Sequence, residues 1–191
     1  FAPSVTPAVD DPAAQFLSGG RQVGFQIAAG QTSARFGETD QALFQTGTVA
    51  GTITIRARLL VSGADATPTP PPTSTVVLPP LAPTLTNLTV TRTGTGLNVV
   101  ARGFSTPRNM TSATLNFTAR EGSNVTNGLS FTVNLAPAFT TWYTSSPSAA
   151  FGSLFQLSLP VTISGDPAEI TGLSIALSNS VGASNSLSAT F

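Results

Sequence analysis

Residues 154–163, LFQLSLPVTI, decide the fold class. Phe155, Leu157, Leu159, Val161 and Ile163 occupy every second position, with Gln156, Ser158 and Thr162 between them. A period of two belongs to an extended strand with one buried and one wet face. A helix would need apolar residues three and four apart. Pro160 lacks an N–H, which places this strand at a sheet edge or a bulge. The same alternation recurs on either side: Ala113, Leu115 and Phe117; Leu129, Phe131, Val133 and Leu135; Leu173, Ile175 and Leu177. Strands are expected near Thr84–Arg92, Leu97–Phe104, Ser112–Ala119, Leu129–Leu135, Phe139–Thr144, Leu154–Ile163, Ile170–Leu177 and Leu187–Phe191. Asp166–Glu169 has the composition of a single helical turn, and no segment shows a convincing 3.6-residue repeat. Short strands at this spacing suit a β-sandwich.

Toward the N-terminus the pattern is shorter. Arg21–Ala28 alternates with Val23, Phe25 and Ile27 on one face, and Thr32–Phe36 and Gln41–Gln45 follow. Val49–Val61 is the longest run. It puts Ile53, Ile55, Ala57 and Leu59 on one side and Arg56 and Arg58 on the other, as a half-buried antiparallel strand does. Ser74–Leu78 reads as a closing strand. Residues 79–83, PPLAP, form a Pro-rich connector, and such connectors are semi-rigid. The expectation is an all-β chain of two tandem Ig-like β-sandwich domains, residues 1–79 and 80–191, joined by this short Pro-rich hinge. The two halves share no fixed period, so the chain is not a solenoid.

Composition narrows the function classes. The chain has 191 residues, 40% hydrophobic and 8% charged, with net charge zero from eight Arg and eight acids. Ordinary soluble domains are about 25% charged. Twenty-nine Thr and twenty-one Ser fill the polar positions, and 17 Gly and 15 Pro supply turns. A neutral, charge-poor surface offers nothing to nucleic acid and does little to keep copies apart. No stretch reaches the roughly 18 apolar residues of a membrane-spanning helix. The first residue is Phe1 rather than Met, which suggests a removed leader or a piece of a longer chain.

Catalysis lacks its usual parts. The chain has no His, no Cys and no Lys. A Ser or Thr nucleophile therefore has no ordinary base, and thiolate chemistry and the common structural zinc sites are excluded. The acids Asp10, Asp11, Glu38, Asp40, Asp65, Glu121, Asp166 and Glu169 mostly sit beside turn signals, where turn formation and solubility explain them. Asp10–Asp11 and Glu38-x-Asp40 are the only acidic clusters of the first 79 residues, and neither has the spacing of a calcium loop. No enzyme activity, metal or cofactor is expected.

Other candidates are contacts. Four glycosylation triplets begin at Asn87, Asn109, Asn116 and Asn124. With nine Asn and fifty Ser and Thr, roughly two or three such triplets arise by chance. Trp142 and Tyr143 are the sole Trp and Tyr. Exposed, they could hold a sugar ring or anchor an interface; otherwise Trp142 packs in a core. Arg102, Arg108 and Arg120 receive no role.

Phe1–Val9, FAPSVTPAV, is uncharged and apolar at Phe1, Val5 and Val9. Three accounts fit it: a first strand of its own domain, a segment lying along the Pro-rich stretch, or a strand added to the sheet edge of a neighbouring molecule. A sandwich short of one strand leaves an apolar groove, and an open edge recruits a partner.

Residues 19–36, GGRQVGFQIAAGQTSARF, followed by 44–59, FQTGTVAGTITIRARL, resemble Ig-like modules found near the C-terminus of very large secreted bacterial proteins. So do 87–119, NLTVTRTGTGLNVVARGFSTPRNMTSATLNFTA, with 139–166, FTTWYTSSPSAAFGSLFQLSLPVTISGD. The resemblance runs from about Asp10 to the end. It implies an extracellular or cell-surface architecture of stacked sandwiches with no catalytic residues to carry over. The expected function is a non-enzymatic structural subunit of a filament or surface assembly, joined to itself by N-terminal strand addition through Phe1, Val5 and Val9. The alternative is a pair of stalk or adhesion modules of a larger secreted protein, binding carbohydrate or another cell-surface protein.

Overall fold

The computed structural model describes residues 1–123, 125 and 129–191. The chain is all-β in the main, and every strand pairing is antiparallel. Seven strands fall in the first 79 residues: β1 (Ala2–Pro3), β2 (Ala14–Phe16), β3 (Phe44–Thr46), β4 (Gly51–Arg56), β5 (Leu60–Val61), β6 (Ala64–Asp65) and β7 (Thr73–Leu78). Among the described residues seven follow: β8 (Thr84–Thr93), β9 (Gly96–Phe104), β10 (Ser112–Ala119), β11 (Ser130–Asn134), β12 (Leu154–Thr162), β13 (Ile170–Ser178) and β14 (Leu187–Thr190).

Residues 80–191 build two sheets, ordered β11-β10-β13-β14 and β12-β9-β8. Alternation decides which side chains meet between them. Leu97, Val99 and Ala101 of β9 and Phe155 and Leu157 of β12 share one core with Ala113 and Leu115 of β10 and Leu173, Ile175 and Leu177 of β13. Each fully buried Leu, Ile or Val side chain there contributes about 1.5–3 kcal/mol of transfer free energy. Pro160 lies opposite Asn98 on β12, an edge strand of its sheet, where a missing N–H leaves no ladder bond unmade. Asp166 accepts from the Ala168 N–H and starts the short 3₁₀ turn Pro167–Glu169.

One expected strand is a helix. Phe139–Thr144 belongs to α1 (Ala136–Thr144), which with a 3₁₀ turn, Ser146–Phe151, carries the chain from β11 in one sheet to β12 in the other. Phe, Thr, Trp and Tyr favour strands, and that preference loses here to packing. Leu135, Phe139 and Tyr143, each four residues apart, are buried on one face, and Pro137 sits in the first turn, where its missing N–H costs nothing.

The first 79 residues are built differently. β4 is the middle strand of the three-stranded sheet β1-β4-β7, while β2-β3 and β5-β6 are separate two-stranded pairs. Residues 21–28 do not form the expected strand. Only Gln26 bridges, to Arg35, because no longer strand lies alongside. The Val49–Val61 run stops at Arg56; Ala57 still donates to the Pro72 carbonyl in the β4–β7 register, but Pro72 has no N–H to return and the ladder ends. Among the described residues, this part buries six apolar side chains, Val5, Ala14, Phe16, Val49, Ala50 and Ile53, against sixteen in residues 80–191.

Candidate functional site

Thr48, Val49 and Ala50 form a short segment on which three other parts of the chain converge. From one side comes the N-terminus. β1 pairs Ala2 with Thr52 and Pro3 with Gly51, and the Ser4 N–H donates to the Ala50 carbonyl at 2.9 Å. Val5 is buried against Val49 and Ala50, with Phe1 and Val9 packed half-buried at the margin. The Phe1 ring lies over Gly51. A Cβ there would come within 2.6 Å of both that ring and the Ala2 carbonyl oxygen, so only glycine admits the strand this closely. Phe1, Val5 and Val9 thus meet at one place, against Val49 and Ala50 of the same chain.

From a second side comes Asp11. It is only 1% exposed. Its carboxylate accepts from the N–H groups of Thr48 at 2.6 Å, Val49 at 2.9 Å and Ala13 at 2.9 Å. The Ala13 bond is the turn expected of an Asp before Pro. The other two span 37 and 38 residues and are tertiary contacts. Glycines 47 and 152 close around the carboxylate, which a Cβ on either would meet within 3 Å. Neighbouring Asp10 stays exposed and takes a 2.7 Å ion pair from Arg21; that hydrogen bond holds its pKa below the usual value.

From the third side comes the end of the two-sheet unit. Ser153 donates its N–H to Thr48 Oγ1 at 3.0 Å and its hydroxyl to the Thr48 carbonyl at 2.7 Å. The Ala50 N–H donates to the Thr106 carbonyl at 2.9 Å. The connector is bonded too. The Leu81 N–H donates to Thr106 Oγ1 at 2.7 Å, and Asn179 Nδ2 donates to the Leu81 carbonyl at 2.8 Å.

Arg108, given no role from sequence, supports this end from behind. Its φ of +53° is left-handed, and it is 6% exposed. The guanidinium donates to the carbonyls of Gly152 and Tyr143 and to Ser148 Oγ, and lies 4.7 Å from the centre of the Tyr143 ring. Burial pulls its pKa below the usual arginine value, with Tyr143 and Asp11 opposing the shift. Gly152 therefore has the Arg108 cation on its carbonyl and the Asp11 anion against its Cα. A left-handed, buried arginine leaves no local signature, so pattern reading passes over it.

The remaining candidates lie elsewhere or inside. Tyr143 is buried, donates its hydroxyl to the Ser153 carbonyl at 2.8 Å, and has its pKa raised by that burial. Trp142 is half-buried against the core, 6.0 Å from the exposed ring of Phe151. Asn87 and Asn116 are exposed on β8 and β10, where Asn116 accepts from Ser130 at 2.7 Å. The Asn109 side chain is engaged at both ends by Ser180. Asn124 lies outside the described residues. Among the described residues no three metal-ligating side chains cluster, and no helix is long and apolar enough to cross a membrane.

Beyond β1, the side of β4 facing β2-β3 opens on a groove of about 610 Å³. Phe1, Phe16, Phe25, Phe36, Phe44 and Ile53 line it. The far edge of the sheet is β7, TSTVVL, which has no charge and is exposed except at half-buried Leu78. No protein-family model matches the sequence, and no curated protein matches it.

Proposed function

We propose that the chain is a non-enzymatic, extracellular or cell-surface structural protein. In this reading two Ig-like modules, residues 1–79 and 80–191, hinge at Pro79–Pro83 and form a subunit of a filament or surface assembly, joined through the N-terminal part. One observation carries it: the first 79 residues fold around six buried apolar side chains and leave a groove and a sheet edge uncovered. Exposed apolar surface and unpaired edges of this kind recruit partners. Near-zero net charge puts little repulsion between copies. The Ig-like reading of residues 80–191 draws support from seven strands in two sheets, the first, second and fifth facing the other four. An Ig constant domain differs in placing its fourth strand beside the fifth.

The test is electron microscopy with light scattering of the whole chain over a range of concentrations. Filaments or defined oligomers are expected. A monomer at every concentration would sink the subunit reading. It would leave the second one, a stalk or adhesion pair of modules, which the bonded joint at Thr48–Ala50 favours because a stalk must hold its parts in fixed orientation. Glycan-array and cell-surface protein binding test that reading.

A further inference from the structure

The N-terminal strand is weakly fixed compared with what lies behind it. Phe1–Val5 is held by two strand pairs, the Ser4–Ala50 bond and the packing of Val5 and Phe1. Thr6, Pro7, Ala8 and Asp10 are exposed, with Val9 half-buried among them. Then comes Asp11, anchored by three backbone N–H groups. Phe1–Val5 is thus a short strap joined by a solvent-facing tether to the anchored Asp11. Its seat, Val49 to Thr52, is shaped to its occupant: Gly51 makes room for the Ala2 carbonyl and the Phe1 ring, and Val49 and Ala50 receive Val5.

We propose that this seat is an exchange site whose partner is the Phe1–Val5 strap of a second copy, and that the chain's own strap is an autoinhibitory plug. The occupant is identified by what already sits there. An identical segment from a neighbour makes identical contacts, so exchange keeps the contact energy and costs the transient opening of the strap and the entropy of association. The tether of five residues between Val5 and Asp11 reaches at most about 20 Å, so a neighbour's seat must lie within that distance of the donor's Asp11. Mutual exchange closes a dimer; one-way exchange continues from copy to copy. Release of the plug is then the step that controls assembly. The inference rests on the subunit reading and names its partner and its control.

Two variants separate donor from acceptor. Gly51→Val blocks the seat but keeps the strap, and a chain starting at Thr6 keeps the seat but lacks the strap. With folding checked by circular dichroism, each alone is expected to be monomeric, and an equimolar mixture is expected to form a heterodimer in size-exclusion light scattering. Val5→Asp in the donor is expected to weaken that complex at least about tenfold. Two folded variants that stay monomeric when mixed overturn the proposal. Should either variant not fold, a fluorescent peptide of residues 1–9 is incubated with the unaltered chain. Slow incorporation competed by unlabelled peptide supports exchange, and none after overnight incubation overturns it. A heterodimer without filaments from the whole chain keeps the exchange site and removes the subunit reading. Filaments without a heterodimer do the reverse.

Discussion

Ile53 and Ile175 are both buried isoleucines on inner strands, β4 and β13, yet their surroundings differ. Ile175 is sealed by a second sheet that brings Val99, Leu157 and their neighbours into the same core. Ile53 faces a groove whose far wall is the β2-β3 pair and the long segment between those strands. A sheet becomes a core only when a second layer faces it. Residues 80–191 have that layer in full. The first 79 have part of it, and depend on polar bonds at Thr48–Ala50 for what apolar packing does elsewhere.

Substitutions can break that contrast. Ile175→Ala is expected to cost about 2–5 kcal/mol of global stability by denaturant unfolding, because a sealed core leaves a cavity. Ile53→Ala is expected to cost less, about 1–2 kcal/mol, since water already reaches the groove. Equal losses would mean that the groove is closed in solution. Asp11→Ala strands the N–H groups of Thr48 and Val49 and is expected to cost about 1–3 kcal/mol. Hydrogen exchange should then rise across residues 1–56 and leave β9, β10 and β13 unchanged; a rise in both regions would show that the two fold as one unit. Val77→Lys, on the exposed β7, is expected to move stability by less than about 0.5 kcal/mol. A large loss would mean that β7 is covered.

The smallest effect is at Asp65. Bonds from Thr67, joined by Arg58, lower its pKa to about 2. A lowered folded pKa stabilises above the unfolded value near 4, and that contribution fades as pH falls through about 2. Carboxyl NMR titration should find a midpoint near 2 for Asp65, and Thr67→Ala should raise it. The group is fully exposed, so global stability should scarcely register the change.

Legibility from sequence followed the same divide. β8 to β14 begin and end within a residue or two of where the alternation puts them, because each sets apolar side chains in or against the one core and the period is enforced. In residues 21–28 the alternation is real, with Val23 and Phe25 half-buried, but a strand also needs a neighbour along its length, which local pattern does not reveal. The helix at Ala136–Thr144 was hidden by strand-favouring residues, although Pro137 and the four-residue spacing of Leu135, Phe139 and Tyr143 point to it. Asp11 reads correctly as a turn residue. Its hold on Thr48 and Val49 does not show, because nothing local marks a contact across 37 residues. Phe1, Val5 and Val9 were legible as a group through their spacing, whereas their seat depends on the fold.

The three-sided convergence on Thr48–Ala50 also sets how the molecule carries load. β1 runs antiparallel to β4, so tension along a strap pulls its ladder to Thr52, Gly51 and Ala50 in shear, with those contacts sharing the force. Past them the force meets the Asp11 carboxylate, and then the Ser153 and Thr106 bonds that pass it to the two-sheet unit. A pull across the sheet would instead open the same ladder one bond at a time. The direction of stress, more than the number of bonds, would decide whether the joint yields.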